Sequence, residues 1–296
     1  MFFFYYTFVG CNHFYDMKKS ILLLYVMTAV CLNGYASPIK DSTARLAMQH
    51  MDSLMRKTPS FSIYRDNYFI TGSNFDGGVN RYNTDVKFQI SIMYRFSKGC
   101  SPRGRFAFLT YTQKSLWDIY QESAPFEDTN FNPSLGIGQH ILKNGRYIGT
   151  LLFQAEHESN GQNDGEKNRS WNMVSATGIF PIGKNWSVQG KVWLPFWIAD
   201  ENKDIARYKG YWQVGGTYLS SNERWRVSLL AIKRGGWDLN MNYNAEIAFR
   251  LSRKSSSYLA LQYYTGYGET LLNYKTYSNY IRFGFVIKPN RAFSIF

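Results

Sequence analysis

From residue 84 onward the chain repeats segments of about ten residues in which apolar and polar positions alternate, separated by turn-rich stretches. This is the pattern of strands whose two faces meet different surroundings. In 87–96 the residues Phe88, Ile90, Ile92, Tyr94 and Phe96 share one face, and Lys87, Gln89, Ser91 and Arg95 share the other. In 147–160 the set Tyr147, Gly149, Leu151, Phe153 and Ala155 opposes Thr150, Gln154, Glu156 and Glu158, so the second set needs a polar lumen or solvent. Continued along the chain, the pattern predicts twelve strands, near 66–72, 84–96, 105–117, 132–142, 147–159, 170–180, 186–197, 208–219, 225–233, 239–250, 257–267 and 278–288. The connections 98–104, 143–146, 181–185, 220–224 and 251–256 are short, whereas 118–131, 160–169, 198–207 and 268–277 are mostly longer; 234–238 is a short exception. Short turns on one side and longer loops on the other are the asymmetry of outer-membrane barrels. Asn144-Gly145 predicts a tight hairpin turn. The spacing of Leu46, Met51, Leu54 and Met55 predicts a short helix ahead of the first strand.

The expected fold is an all-β, twelve-stranded antiparallel transmembrane β-barrel. A secreted β-sandwich or lipocalin-like barrel competes with it, but would need apolar residues on the inward face only. Here the apolar faces end in Tyr, Trp and Phe, as interfacial girdles do. Composition agrees: 18% of the residues are aromatic and mean hydropathy is −0.35. Beyond the N-terminus no apolar run approaches the roughly 20 residues of a spanning helix.

Met17-Lys18-Lys19, the apolar stretch 21–32 and Gly34-Tyr35-Ala36 have the three parts of an export signal, with cleavage expected after Ala36. Residues 1–16 then form an upstream extension, 37–65 a periplasmic N-terminal segment, and 66–296 the barrel domain. A lipidated Cys31 is the weaker alternative, because Val30 is a poor residue before a lipidated cysteine. The formal net charge of +13 falls by one unit with the loss of Lys18, Lys19 and Asp16. The remaining surplus favours anionic lipid and lipopolysaccharide headgroups. Nucleic acid is not an expected partner of an exported chain with no compact basic run. Cys100 is then the only cysteine left, which excludes an internal disulfide. The terminal Phe296 suits recognition by barrel-assembly machinery.

Candidate chemistry is concentrated in Glu156-His157-Glu158-Ser159-Asn160-Gly161 and Asn168-Arg169-Ser170-Trp171-Asn172. Alternation puts His157 and Ser159 on the face of Leu151, Phe153 and Ala155, the lipid side. Polar groups are costly there. If 160–169 is a hairpin loop, Asn172 comes back beside His157. Ser159 is then a candidate nucleophile, His157 its general base, and Asn172 the group that holds the imidazole tautomer. The competing reading makes His157 and Ser159 ordinary rim residues at headgroup level. A porin-like channel or a non-enzymatic adhesin also remains open on this pattern.

His157-Glu158-Ser159-Asn160-Gly161 and Arg169-Ser170-Trp171-Asn172 resemble the His-x-Ser-Asn-Gly and Arg-Ser-Trp-Asn elements of the outer-membrane phospholipase A family. The stretch 111–117, Ser123-Ala124-Pro125-Phe126 through Thr129-Asn130, and 266–271 resemble further elements of that family, in its order, over roughly 66–288. The resemblance implies an outer-membrane enzyme hydrolysing acyl esters of glycerophospholipids at both acyl positions and in lysophospholipids. By the same resemblance it would act as a homodimer, when phospholipid reaches the outer leaflet. It further implies His157, Ser159 and Asn172 as catalytic residues and the Gly161 N–H as oxyanion donor. Calcium (Ca2+) would be held by the Gln162 carbonyl, the Asn168 side chain and Ser123 of a second subunit, and Gln113 would pair across the dimer. Asn168 stands where the family usually has a hydroxyl residue. The 160–169 loop is about one residue longer than the family pattern, and the segment from Trp117 to Ser123 about two shorter.

Overall fold

The computed structural model describes residues 42–289 except 102, 164 and 237; the expected signal peptide, residues 37–41 and Phe296 lie outside the described residues. The helix α1 (Ser42–Lys57) is followed by a short strand β1 (Phe61–Ile63). Twelve longer strands complete the wall: β2 (Asn67–Asn74), β3 (Thr84–Arg95), β4 (Arg105–Trp117), β5 (Phe126–Lys143), β6 (Arg146–Ser159), β7 (Ser170–Ile182), β8 (Trp186–Ile198), β9 (Trp212–Leu219), β10 (Trp225–Lys233), β11 (Met241–Arg250), β12 (Ser257–Tyr267) and β13 (Tyr277–Ile287). Each pairs antiparallel with its neighbours, and β13 returns to β2, closing an up-and-down barrel. β1 pairs with the end of β3, on the same edge that β2 occupies further along.

Polarity runs opposite to that of a water-soluble protein. Ile90, Leu135, Ile137, Leu229, Phe283 and Phe285 are exposed on the outside, while Lys87, Arg95, Glu156, Arg282 and Lys288 are buried inside. Large exposed apolar rows and buried charges suit a wall set in lipid. The soluble alternatives are thereby excluded. No helix among the described residues is long and apolar enough to cross a membrane.

The lumen is filled from both ends. Near the short turns, α1 contributes Met55 to an apolar cluster with Tyr64, Met93, Phe106, Phe108, Leu152 and Ile179. Arg95 reaches from the lumen to the carbonyl of Met55 in the last turn of the helix, and to those of Thr58 and Pro59 just beyond it, at 3.1, 2.9 and 3.2 Å. At the opposite mouth a second cluster joins Trp171, Met173 and Trp193 of the wall to Ile205, Ala206, Leu271 and Tyr274 of the loops. Here Asp204 accepts a hydrogen bond from Tyr274 and pairs with Lys275 at 2.8 Å. Burial and the neighbouring Asp204 push the Tyr274 hydroxyl up to about 12. Ion pairs occupy the layer between the plugs. Arg282 binds both oxygens of Asp85 at 2.6 Å and Glu269 at 2.7 Å, and Lys87 pairs with Glu269 at 3.0 Å. A cavity of 230 Å³ remains beside these pairs. With both mouths plugged, the described residues form a filled barrel rather than an open pore.

Three local expectations differ from the structure. β5 starts at Phe126 rather than near 132, so the loop expected over 118–131 is only 118–125. Its polar residues Asp128 and Asn130 face inward and accept hydrogen bonds from the backbone of Leu272 and Leu271. β9 begins at Trp212 rather than 208, because Ile205–Lys209 forms a short helix α2 whose buried Ile205 and Ala206 enter the outer plug. Tyr147 lies on the lumen side, with Oη 2.7 Å from Thr150 Oγ1, and does not share a face with Gly149. The pairing slips between Ile141↔Gly149 and Leu142↔Tyr147, and this bulge reverses the alternation at that point. The Asn144-Gly145 turn matches expectation: both residues have positive φ, 50° and 71°, as a primed hairpin turn requires.

Candidate active site

β6 and β7 meet so that His157 stands directly opposite Asn172 and Ser159 opposite Ser170. All four side chains lie at the long-loop end of the barrel and are half-buried. His157 Nδ1 and Asn172 Oδ1 are 3.0 Å apart. The amide's orientation follows from its other bond, since Asn172 Nδ2 donates to the Trp197 carbonyl at 3.3 Å. Oδ1 is therefore the end that faces the ring, and an acceptor there requires the proton on Nδ1. His157 Nε2 then carries a free lone pair. Ser159 is two residues on, hence on the same exterior face. Its hydroxyl has no hydrogen-bond partner among the described residues.

Beyond Ser159 the chain leaves the strand through the 160–169 loop, whose base is clamped by Asn160. That buried side chain donates to the Lys167 carbonyl at 2.8 Å and accepts from the Arg169 N–H at 3.0 Å. Gly161 has φ +66°, and a Cβ there would lie 2.8 Å from the Phe131 ring. Only glycine fits both constraints without strain. Its N–H has no partner among the described residues, which leaves it free as a donor beside Ser159.

The inner side of the same strands is braced by residues that the sequence reading did not single out. Glu158, between His157 and Ser159, accepts from Trp171 Nε1 at 2.7 Å and pairs with Lys209 of α2 at 2.8 Å. Trp171 in turn lies between Ser170 and Asn172. Each strand thus has its outward polar residues held by a lumen-side anchor in the outer plug. Alternation marks Glu158 and Trp171 as inward; the part played by Lys209 depends on α2 folding into the mouth and has no local signal.

Gln113 faces outward, in one row with Ile90, Phe131 and Ser159, and not into the lumen. Its amide accepts from Tyr111 Oη at 3.0 Å within the protomer. Ser123 is exposed in the 118–125 loop with φ +64°, followed by Ala124 at +40°. No hydrogen bond or ion pair joins it to the 160–169 loop among the described residues. Gln162 is exposed and Asn168 half-buried in that loop. The described residues contain no cluster of His, Cys, Asp and Glu able to hold a metal. The donors that the resemblance assigns to a metal are a backbone carbonyl, an amide oxygen and a hydroxyl, oxygen ligands of the kind a hard cation such as calcium takes.

An outer-membrane β-barrel with a histidine–asparagine pair and a free serine on its lipid-facing wall is the class that fold and site define. The sequence model of the family described as phospholipase A1 matches residues 45–287, and the chain belongs to that family of ester hydrolases. Phospholipase A1 of Escherichia coli K12 is 32% identical over 228 residues, 75% of each chain. The Salmonella typhimurium enzyme is 32% identical over 229 residues, again 75% of each. Among solved structures, the calcium-bound dimer of Salmonella typhi outer membrane phospholipase matches with a TM-score of 0.67 and 25% identity, covering 80% of this chain and 97% of that one. An active-site asparagine-to-alanine mutant of the E. coli enzyme matches with a TM-score of 0.69 at 25% identity, with the same coverage.

Proposed function

We propose that the protein is a calcium-dependent phospholipase of the outer membrane, hydrolysing acyl esters of glycerophospholipids at a Ser159–His157–Asn172 triad and acting as a homodimer. The observation that carries this reading is the 3.0 Å His157–Asn172 hydrogen bond, which leaves Nε2 free on the lipid-facing wall. Ser159 Oγ attacks the acyl carbonyl as His157 Nε2 takes its proton; the Gly161 N–H stabilises the oxyanion. His157 then returns the proton to the departing lysolipid oxygen, leaving an acyl-enzyme. Water, deprotonated by the same nitrogen, releases the fatty acid. Asn172 keeps Nδ1–H oriented throughout. An amide does this without adding a negative charge at a low-dielectric surface.

Gln162, Asn168 and Ser123 of the partner subunit would hold the calcium, which supplies polarisation of the ester carbonyl when bound. Gln113 of each protomer would exchange its bond with Tyr111 for one with its counterpart across the seam. The export signal over 1–36, the periplasmic segment 37–65 and the barrel over 66–296 complete the organisation, and the basic surplus suits anionic lipid and lipopolysaccharide headgroups.

Diacyl phospholipid hydrolysis in detergent micelles tests this reading. Chelation of calcium is expected to abolish turnover and added calcium to restore it; an unchanged rate in chelator would contradict the calcium assignment. Asn172→Ala is expected to lower kcat on the order of 10- to 100-fold, less than the roughly 100- to 10,000-fold contribution of a general base itself. Equal kcat in the two proteins would remove Asn172 from the triad.

A further inference from the structure

Strand β8 departs from regular pairing where it passes the candidate triad. Asn172 stands opposite Trp197 and Met173 opposite Pro195, so Phe196 is the extra residue of a β-bulge. Met173 on one side and Ile198 on the other belong to or pack against the inner cluster. Phe196 and Trp197 between them both fall on the exterior, 61% and 72% exposed. Bulges beside active sites re-aim side chains. This one places two aromatic rings next to each other on the lipid wall, on backbone tied to the triad through the Trp197 carbonyl.

Directly between these rings and Ser159 lie Ser170, Asn172 and His157, and the strip of wall below them is apolar. One step toward the middle of the barrel, Ala155, Val174 and Leu194 form a directly paired row across β6, β7 and β8. Ala155 is the smallest of the three, so the wall is most recessed beneath His157 and the row forms a trough. Two strand spacings of about 4.8 Å separate Ser159 from β8, a span of roughly 10 Å. On its other side Ser159 is flanked by Phe131, Gln113 and Ile90, the direction assigned above to the second subunit. With the second subunit seated there, the β7–β8 side stays open to lipid.

We infer that Phe196 and Trp197 form a subsite for the second acyl chain of a diacyl glycerophospholipid, while its other chain is presented to Ser159. The inference rests on the phospholipase reading. Two chains that leave adjacent glycerol carbons must run over neighbouring strips of wall, and the trough ending at the rings is the free strip. In the membrane the rings are surrounded by lipid tails with or without substrate, so no hydrophobic gain drives this contact. A rigid ledge instead confines the chain and thereby the ester beside Ser159. Interfacial aromatics also serve as membrane anchors. An anchor acts on every substrate alike, whereas a second-chain subsite matters only when a second chain is present.

The test compares kcat/KM for diacyl phosphatidylcholine and its monoacyl lysolipid in the same micelles with Trp197→Ala, Phe196→Ala and Trp197→Phe. In the two alanine variants the diacyl-to-monoacyl ratio is expected to fall on the order of 5- to 10-fold, below the about 100-fold that a 1 Å misplacement of reacting groups can cost. Trp197→Phe should recover most of it. An unchanged ratio, with both substrates slowed equally or neither slowed, overturns the subsite. Wild-type protein that hydrolyses neither lipid overturns the phospholipase reading and the subsite with it.

Discussion

Replacing Ser159 by alanine is expected to reduce ester hydrolysis on the order of 10⁴- to 10⁶-fold, the range seen when the nucleophile of a triad is removed. The barrel should be otherwise unaffected. Ser159 Oγ has no hydrogen-bond partner among the described residues, and the bond between His157 and Asn172 does not involve it. Neither the brace of Glu158, Trp171 and Lys209 nor the Asn160 clamp passes through the hydroxyl. Turnover and stability therefore separate at this position: turnover disappears while the urea midpoint for unfolding stays the same. A parallel loss of both would mean that Ser159 serves the fold.

The largest effect on stability is expected at Arg282. Its guanidinium holds both oxygens of Asp85 and both of Glu269 inside the lumen, where all three side chains are buried. Arg282→Leu leaves Asp85 without a hydrogen-bonded cation, while Glu269 keeps Lys87 at 3.0 Å. Breaking a buried pair in this way costs about 3–5 kcal/mol, because one charge stays buried and uncompensated. Combining it with Asp85→Leu removes the stranded carboxylate and should recover a large part of the loss. Reversible urea unfolding of the single and double variants in lipid or detergent checks this. A single variant within about 0.5 kcal/mol of wild type, the range of an ordinary surface substitution, would contradict the assigned role of the ionic layer.

The part of this architecture that local alternation determines was legible in the chain. Phe88, Ile90 and Tyr94 against Lys87, Ser91 and Arg95 place one strand's faces without ambiguity, and Asn144-Gly145 marks the turn between β5 and β6. The same period-two logic puts His157 and Ser159 on the outside, and a hairpin brings Asn172 beside them. What escaped depends on contacts distant in sequence. Asp128 and Asn130 look like loop residues until the 268–276 loop folds in and donates its amides to them. Residues 205–209 could extend a strand; Ile205 and Ala206 make them helical by entering the outer plug. At Tyr147 and at Phe196 a bulge breaks the period, so alternation misplaces the first and cannot show the second beside Trp197. The resemblance to a family supplied ester hydrolysis, calcium and dimerisation, none of which alternation carries.

The central claim is that one serine on the exterior wall is the nucleophile. Its most direct measurement is covalent labelling of the detergent-solubilised protein with an alkylsulfonyl fluoride, followed by mass spectrometry of the modified peptide. The account predicts a single adduct on Ser159 and concurrent loss of hydrolysis; a stoichiometric adduct on another serine, or full inactivation with Ser159 unmodified, would contradict it.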